Sequence, residues 1–134
     1  MALEILILDD EAIVGERLKA ALEKQGHRVE AFINPIRALE RIDSKMFDIV
    51  VTDIRMDDMD GIEILERVQA KSRRTKVIII TGYATLEVAR ESLAKGAFNF
   101  IAKPFKLKEM RDAIDKAMAA LSTEDQKSPD RHTS

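Results

Sequence analysis

The chain has 134 residues, of which 46% are apolar and 34% charged, with no cysteine and a formal net charge of -2. This length suits one domain with a real core, and the composition fits a folded chain, not a disordered one. The charge argues against nucleic-acid binding by bulk attraction, and the missing cysteines exclude disulfides, thiolate zinc sites and thiol nucleophiles. No apolar run could span a membrane and no signal peptide begins the chain, so we expect a cytoplasmic protein.

Five short apolar runs predict the strands of the domain. In chain order they are Leu3–Leu8, His27–Ile33, Ile49–Thr52, Val77–Thr81 and Ala97–Ala102. The second run alternates polar and apolar residues, which is typical of a half-exposed edge strand, whereas the first, third and fourth are almost continuously apolar. We therefore expect the second strand at an edge of the sheet.

A helical pattern of apolar residues follows each strand. The first predicted helix spans about 11–25, the second begins at Pro35 and the third begins after Gly61. The fourth spans about 85–95 and the fifth covers 107–121. Asn34 and Pro35 are typical of an N-cap and a first helical position. The fourth helix has a thin apolar face of Leu86, Ala89 and Leu93, which suits a surface that changes partners.

The end of the chain differs from the rest in composition. Residues Ser122–Ser134 are polar, include Pro129 and lack an apolar period. We therefore predict one domain over 1–121 and a disordered tail or linker remnant over 122–134.

Strands that alternate with helices predict a parallel sheet covered on both faces. The edge position of the second strand favours the order 2-1-3-4-5. The expected fold is therefore α/β, a doubly wound, flavodoxin-like (βα)5 sheet with its ligand crevice between the first and third strands.

Polar side chains end four of these strands, and the carboxyl ends of parallel strands share one edge. They are Asp9 and Asp10, Asp53, Thr81 and Lys103. Three converging carboxylates need a counter-charge, and a hard cation such as Mg2+ suits them better than zinc or copper, since no His or Cys joins them. A phosphoryl group could share its oxygens among the metal, the ammonium and the hydroxyl, with the central Asp53 as nucleophile.

Four stretches, ILILDDE, IVVTDIRMDDMDG, VIIITGYA and FIAKPF, resemble the receiver domain of two-component response regulators over about residues 3–121. The resemblance implies that Asp53 is the phosphoacceptor. It also implies that Mg2+ is bound by Asp9, Asp10, Asp53 and the backbone carbonyl of Arg55. The switch pair is then Thr81 and Phe100, the phosphate-binding lysine is Lys103, and the peptide bond before Pro104 is cis.

The stretches TDIRM…DMDGIEIL and IITGYATLEVA look most like receivers of the nitrogen-regulatory, enhancer-binding activators, which regulate transcription. One departure is Asp57, because that group usually has proline at this position. The aspartate adds a carboxylate and flexibility to the active-site loop.

The resemblance implies a histidine kinase as phosphodonor and an output domain or downstream protein as target. It implies a switching face around the fourth helix, fifth strand and last helix, and a phosphorylation-dependent homodimer is a further option. It implies no direct contact with nucleic acid or membrane by this domain.

Two other functions remain open at this point. An Mg-dependent phosphatase with an Asp nucleophile usually has a second acid two residues later, where this chain has Arg55. A receiver that no longer signals would act as an interaction module. The complete set of site residues argues against this alternative. We expect only self-phosphorylation and dephosphorylation, not turnover as an enzyme.

Three further residues or segments receive no functional role. We expect His27 and His132 to be exposed to solvent, and we expect Lys71–Lys76 to form a solvated loop.

Overall fold

The structure, a computed structural model, describes residues 2–54, 60–82 and 85–133, with side chains as far as Asp125. Strands and helices alternate through these residues. The strands are β1 (Glu4–Leu8), β2 (Arg28–Phe32), β3 (Ile49–Asp53), β4 (Lys76–Thr81) and β5 (Asn99–Ala102). The helices are α1 (Ala12–Lys24), α2 (Pro35–Ser44), α3 (Gly61–Lys71), α4 (Leu86–Ala94) and α5 (Leu107–Thr133).

The strands form one parallel sheet in the order β2-β1-β3-β4-β5. This confirms the predicted doubly wound α/β fold and the edge position of β2. The register pairs Leu8 with Thr52 and Asp53 with Ile80. Strands β1, β3 and β4 therefore end at nearly the same level, which brings the residues that follow them to one edge.

The core lies on both faces of the sheet, because alternate strand residues point to opposite sides. On one face, Ile7 and Val51 pack with Leu18 of α1 and Ile114 of α5. On the other, strand residues pack against α2 and α3, with Leu65 fully buried there. Burial of each such side chain stabilises the fold by about 1.5–3 kcal/mol, so the sheet is a rigid platform for its polar edge.

Side-chain caps fix the starts of three helices. The Asn34 carboxamide oxygen accepts from the backbone N–H groups of Ile36 at 2.9 Å and Arg37 at 3.1 Å, and Pro35 opens α2. The sequence prediction for this helix start is confirmed. Asp60 and Thr85 cap α3 and α4 in the same way.

The leucines of the apolar face predicted for α4 are exposed, and other residues of this helix face the core. Leu86 is 66% exposed and Leu93 is 50% exposed, whereas Ser92 is fully buried and Val88 packs against the core. Ser92 can take an inward position because its hydroxyl donates to the carbonyl of Val88 at 2.9 Å, which satisfies the polar group within the helix. The helix therefore presents two leucines to solvent.

The last helix is longer than predicted. It continues past Leu121 to Thr133, whereas the sequence pattern predicts a helix only as far as Leu121. The carboxylates of Glu124 and Asp125 form ion pairs with Lys76 and Arg74, which composition and periodicity do not reveal. The assignment of 1–121 as the domain stays a prediction.

Two further expectations fail at the opposite edge of the sheet. His27 is only 6% exposed, and its Nδ1 accepts a hydrogen bond from the backbone N–H of Leu3 at 3.1 Å, because the two residues flank neighbouring strands. The basic segment over 71–76 is not a purely solvated loop, because its residues close α3, begin β4 and form the ion pairs of Arg74 and Lys76. The side chain of His132 lies outside the described residues.

Candidate functional site

Three carboxylates meet at the carboxyl edge of the sheet, as the sequence predicts. One oxygen from each of Asp9, Asp10 and Asp53 lies within 4.8 Å of the others. Asp9 and Asp53 are buried, whereas Asp10 is exposed to solvent. The cluster therefore has a buried floor and an open side through which a ligand could enter.

Lys103 lies across this cluster. Its Nζ is 2.7 Å from the Oδ2 of Asp53, 2.7 Å from the Oδ2 of Asp9 and 3.1 Å from the Oε1 of Glu11. Its backbone N–H donates to the carbonyl of Thr81 at 2.8 Å, and the peptide bond between Lys103 and Pro104 is cis, as expected. The structure thus brings the predicted lysine into contact with the predicted nucleophile.

The charges of the site respond to burial and to one another. Burial lowers the pKa of Lys103, but hydrogen bonds to Asp53, Asp9 and Glu11 outweigh this effect and raise it overall, so the ammonium stays charged. Burial raises the pKa of Asp9, and the nearby Asp53 adds to the rise against the opposing contacts of Lys103 and the Glu11 N–H. Among the described residues, three carboxylates cluster beside the one ammonium of Lys103, which favours a further cation.

The donor set fits a hard metal ion. The Oδ2 of Asp9 is fully buried, and Lys103 lies 2.7 Å from it. Carboxylates packed this closely repel one another, and a cation bound to oxygen ligands would relieve that repulsion. The acidic cluster could therefore hold a metal. The predicted carbonyl ligand of Arg55, and Asp57 in the same loop, lie outside the described residues.

Backbone hydrogen bonds fix the position of Asp53. The Thr52 hydroxyl donates to the carbonyl of Asp53 at 3.0 Å, and the Ile54 N–H donates to the carbonyl of Ile80 at 3.1 Å. The N–H of Gly61, at the start of α3, donates to the carbonyl of Ile54 at 2.8 Å. The strand end that carries the carboxylate is therefore held from both sides.

Gly61 is a residue of this site that the sequence reading treated only as a turn. A Cβ at this position would lie 2.8 Å from the Cα of Ile54 and still closer to the Asp53 carbonyl oxygen. Only glycine allows α3 to begin so near the backbone of the nucleophile. The signal available in the sequence was the Asp60-Gly61 pair shortly after a buried strand.

Glu11 is a second residue of the site that the sequence pattern does not identify. Its side chain is 63% exposed, its Oε1 contacts Lys103, and its backbone N–H donates to the Oδ1 of Asp9 at 2.8 Å. The sequence shows it only as the third acid of ILILDDE. It places a fourth carboxylate at the rim of the site.

The two predicted switch residues lie on the neighbouring strands. Thr81 is buried at the end of β4 and pairs in register with Ala102. Phe100 on β5 is only partly buried and packs against the same core cluster as Val88 of α4. Their positions link the polar edge to α4, whereas their roles stay predictions.

A groove of about 770 Å3 opens beside Lys103. Apolar side chains of α1 and of the segment after β5 form most of its wall, namely Ile13, Val14, Leu18, Pro104, Phe105 and Leu107. Ile13 and Leu107 are largely exposed, so the groove offers an apolar contact surface next to the carboxylates.

Within the described residues, the structure contains no helix whose length and apolar character would let it span a bilayer.

Comparison with known proteins identifies the family. Residues 5–115 match the family described as response regulator receiver domain. Sporulation initiation phosphotransferase F of Bacillus subtilis is 36% identical over 113 residues, which cover 84% of this chain and 91% of that protein. A CheY-like receiver domain protein of Methanospirillum hungatei superposes with a TM-score of 0.88 at 31% identity, over 92% of this chain and 99% of the other.

Longer regulators also match. The transcriptional regulatory protein ZraR of Klebsiella oxytoca is 35% identical over 116 residues, which are 87% of this chain but only 26% of that protein. This chain therefore spans about a quarter of that relative. Such matches agree with the resemblance to the enhancer-binding activators and do not favour the phosphatase alternative. The chain belongs to the response regulator receiver domains of two-component signal transduction.

Proposed function

We propose that Asp53 accepts a phosphoryl group from a histidine kinase, in a reaction that requires Mg2+. The observation that carries this proposal is the contact of the Lys103 ammonium with the carboxylates of both Asp53 and Asp9, at 2.7 Å each. A buried carboxylate next to a fixed ammonium and further oxygen ligands has the parts needed for in-line phosphoryl transfer.

Each described residue has a distinct role in this proposal. An oxygen of Asp53 attacks phosphorus, the bond to the donor histidine nitrogen breaks, and an acyl phosphate forms. Lys103 moves from the Asp53 oxygen to a phosphoryl oxygen and stabilises its charge. Asp9 and Asp10, together with Asp53 and the carbonyl of Arg55, would hold the metal. When bound, Mg2+ would supply positive charge for the phosphoryl oxygens.

The response to phosphorylation involves the residues at the ends of β4 and β5. The hydroxyl of Thr81 forms a hydrogen bond with the new phosphoryl group, and Phe100 turns into the space that Thr81 leaves. Because Phe100 and Val88 pack against one cluster, this movement repacks α4. The exposed Leu86 and Leu93 then belong to the surface that changes, together with β5 and α5.

The partners follow from this chemistry. A histidine kinase provides the phosphoryl group, and the apolar groove beside Lys103 lies where a donor protein could approach Asp53. The target is an output domain or a downstream protein, reached directly or through a phosphorylation-dependent homodimer. Related proteins support both options, since one is a transcriptional regulatory protein and another is a beryllofluoride-activated NtrC4 receiver domain dimer.

Labelling with radioactive acetyl phosphate tests the nucleophile. The wild-type chain should take up label with Mg2+ and lose that labelling with EDTA. Asp53→Asn should abolish it, whereas Asp112→Asn, at an exposed carboxylate of α5, should not change it. Mg2+-dependent labelling that survives Asp53→Asn would refute the assignment.

A further inference from the structure

The amino-terminal edge of the sheet, opposite the carboxylate site, carries a connected set of ion pairs. Arg74 contacts Asp125 through two hydrogen bonds, from Nε at 3.0 Å and from Nη2 at 2.8 Å. Its Nη1 also lies 2.6 Å from the Oδ1 of Asp48, just before β3. The second oxygen of Asp48 accepts from the backbone N–H of Glu4 at 2.8 Å, which ties the arginine to β1 as well.

Lys76 supplies a second connection to the same stretch of α5. Its Nζ forms an ion pair with the carboxylate of Glu124 and lies 5.9 Å from the ring centre of Phe98. The lysine side chain is only 14% exposed, so it is held in place more firmly than an ordinary surface lysine. Two adjacent acidic residues of the helix therefore meet two basic residues of the sheet edge.

Local preferences do not explain why α5 stays helical here. Leu121 is the last buried apolar residue of the helix among the side chains described, and residues 122–125 read Ser-Thr-Glu-Asp. Ser, Thr and Asp are weak helix formers. With neither apolar burial nor propensity in its favour, this part of the helix depends on its ion pairs.

We propose that Arg74 and Lys76 form a clamp with Glu124 and Asp125 that holds α5 onto the sheet beyond Leu121. The chain then leaves the domain as a docked helix with a fixed direction, instead of fraying where the core ends. The bidentate arginine pair gives this clamp geometric definition that a lysine pair alone lacks. The clamp and the carboxylate site lie at opposite ends of β3 and β4, so the clamp can be tested without altering Asp53.

Amide hydrogen exchange of residues 122–125 is the test. In the double variant Glu124→Gln/Asp125→Asn, which keeps the side-chain shapes, protection of these amides should fall about tenfold, because two ion pairs that act together are lost. About 1 M NaCl should lower wild-type protection in the same direction and affect the double variant little.

The matched control is Asp112→Asn, which breaks the exposed pair between Lys108 and Asp112 within the same helix. It should leave protection of residues 122–125 unchanged. The clamp would be refuted by unchanged protection in the double variant, or by an equal loss in the Asp112→Asn control. Acetyl phosphate labelling of the double variant should remain normal, so failure of the clamp and failure of the proposed function are separate outcomes.

Discussion

At the scale of single residues, the described part of the site has one ammonium among four carboxylates. Lys103 contacts Asp53, Asp9 and Glu11, and its pKa is raised by them in spite of burial. The same lysine therefore has two effects. It neutralises the acids before a cation arrives, and it competes with that cation for their oxygens.

Replacing the lysine should separate these effects. In Lys103→Ala, Mg2+ affinity should rise about tenfold, because a positive charge close to the metal ligands is removed. Labelling by acetyl phosphate should fall, because no ammonium then stabilises the phosphoryl oxygens. Calorimetric titration with Mg2+ measures the first effect. Weaker Mg2+ binding in the variant would show that the lysine organises the acids more than it competes for them.

Gly61 should be a structural requirement of the site. Gly61→Ala places a methyl group against the backbone of Asp53 and Ile54, so we expect a loss of about 1–3 kcal/mol in the free energy of unfolding. Urea denaturation measures it. Gly82→Ala is the matched control, because a Cβ there meets no atom of the described residues within 4 Å. Equal effects of the two substitutions would contradict the close approach at Gly61.

At the scale of elements, α4 shows both what the sequence reveals and what it hides. Its position in the chain and its bounds were predictable to within a residue, because Thr85 is a good N-cap and Gly96 permits the positive φ of 107° that follows the helix. Its orientation was not, since a helix with few apolar residues can bury more than one face. The buried Ser92 depends on a hydrogen bond that hydrophobic spacing cannot show.

The orientation of α4 makes a direct prediction. Val88→Ala should lower the free energy of unfolding by about 1 kcal/mol, because Val88 packs against the core. Leu93→Ala should change it by less than about 0.5 kcal/mol, because Leu93 is half exposed. Paired urea denaturation curves compare the two variants. A larger loss from the leucine substitution would contradict this orientation of α4.

At the scale of the whole molecule, the doubly wound order follows from the pattern of apolar runs. The convergence of Asp9, Asp10 and Asp53 then follows from parallel topology alone. Contacts between distant segments are a different matter. The pair between Glu124 and Lys76 joins residues 48 positions apart, and no local pattern predicts it. The same reason accounts for the buried His27, which bonds to Leu3 across 24 positions.

His27 should make the stability of the fold depend on pH. Burial lowers the pKa of His27, against an opposing attraction from Asp115, so the folded state favours the neutral ring. Its contribution is complete above the unfolded pKa of about 6.5 and declines as pH falls below that value. Denaturation midpoints between about pH 7.5 and 5.5 measure this decline. It should flatten in His27→Gln and persist in His132→Gln, and the reverse pattern would contradict the buried role.

The central claim is that Asp53 carries the phosphoryl group. The most direct measurement is mass spectrometry of the wild-type chain after incubation with acetyl phosphate and Mg2+, with the modified carboxyl located by reduction and peptide sequencing. We predict one modification, on Asp53, that is absent when EDTA replaces Mg2+. Modification of Asp9, Asp10 or another residue with Asp53 unmodified would contradict the account.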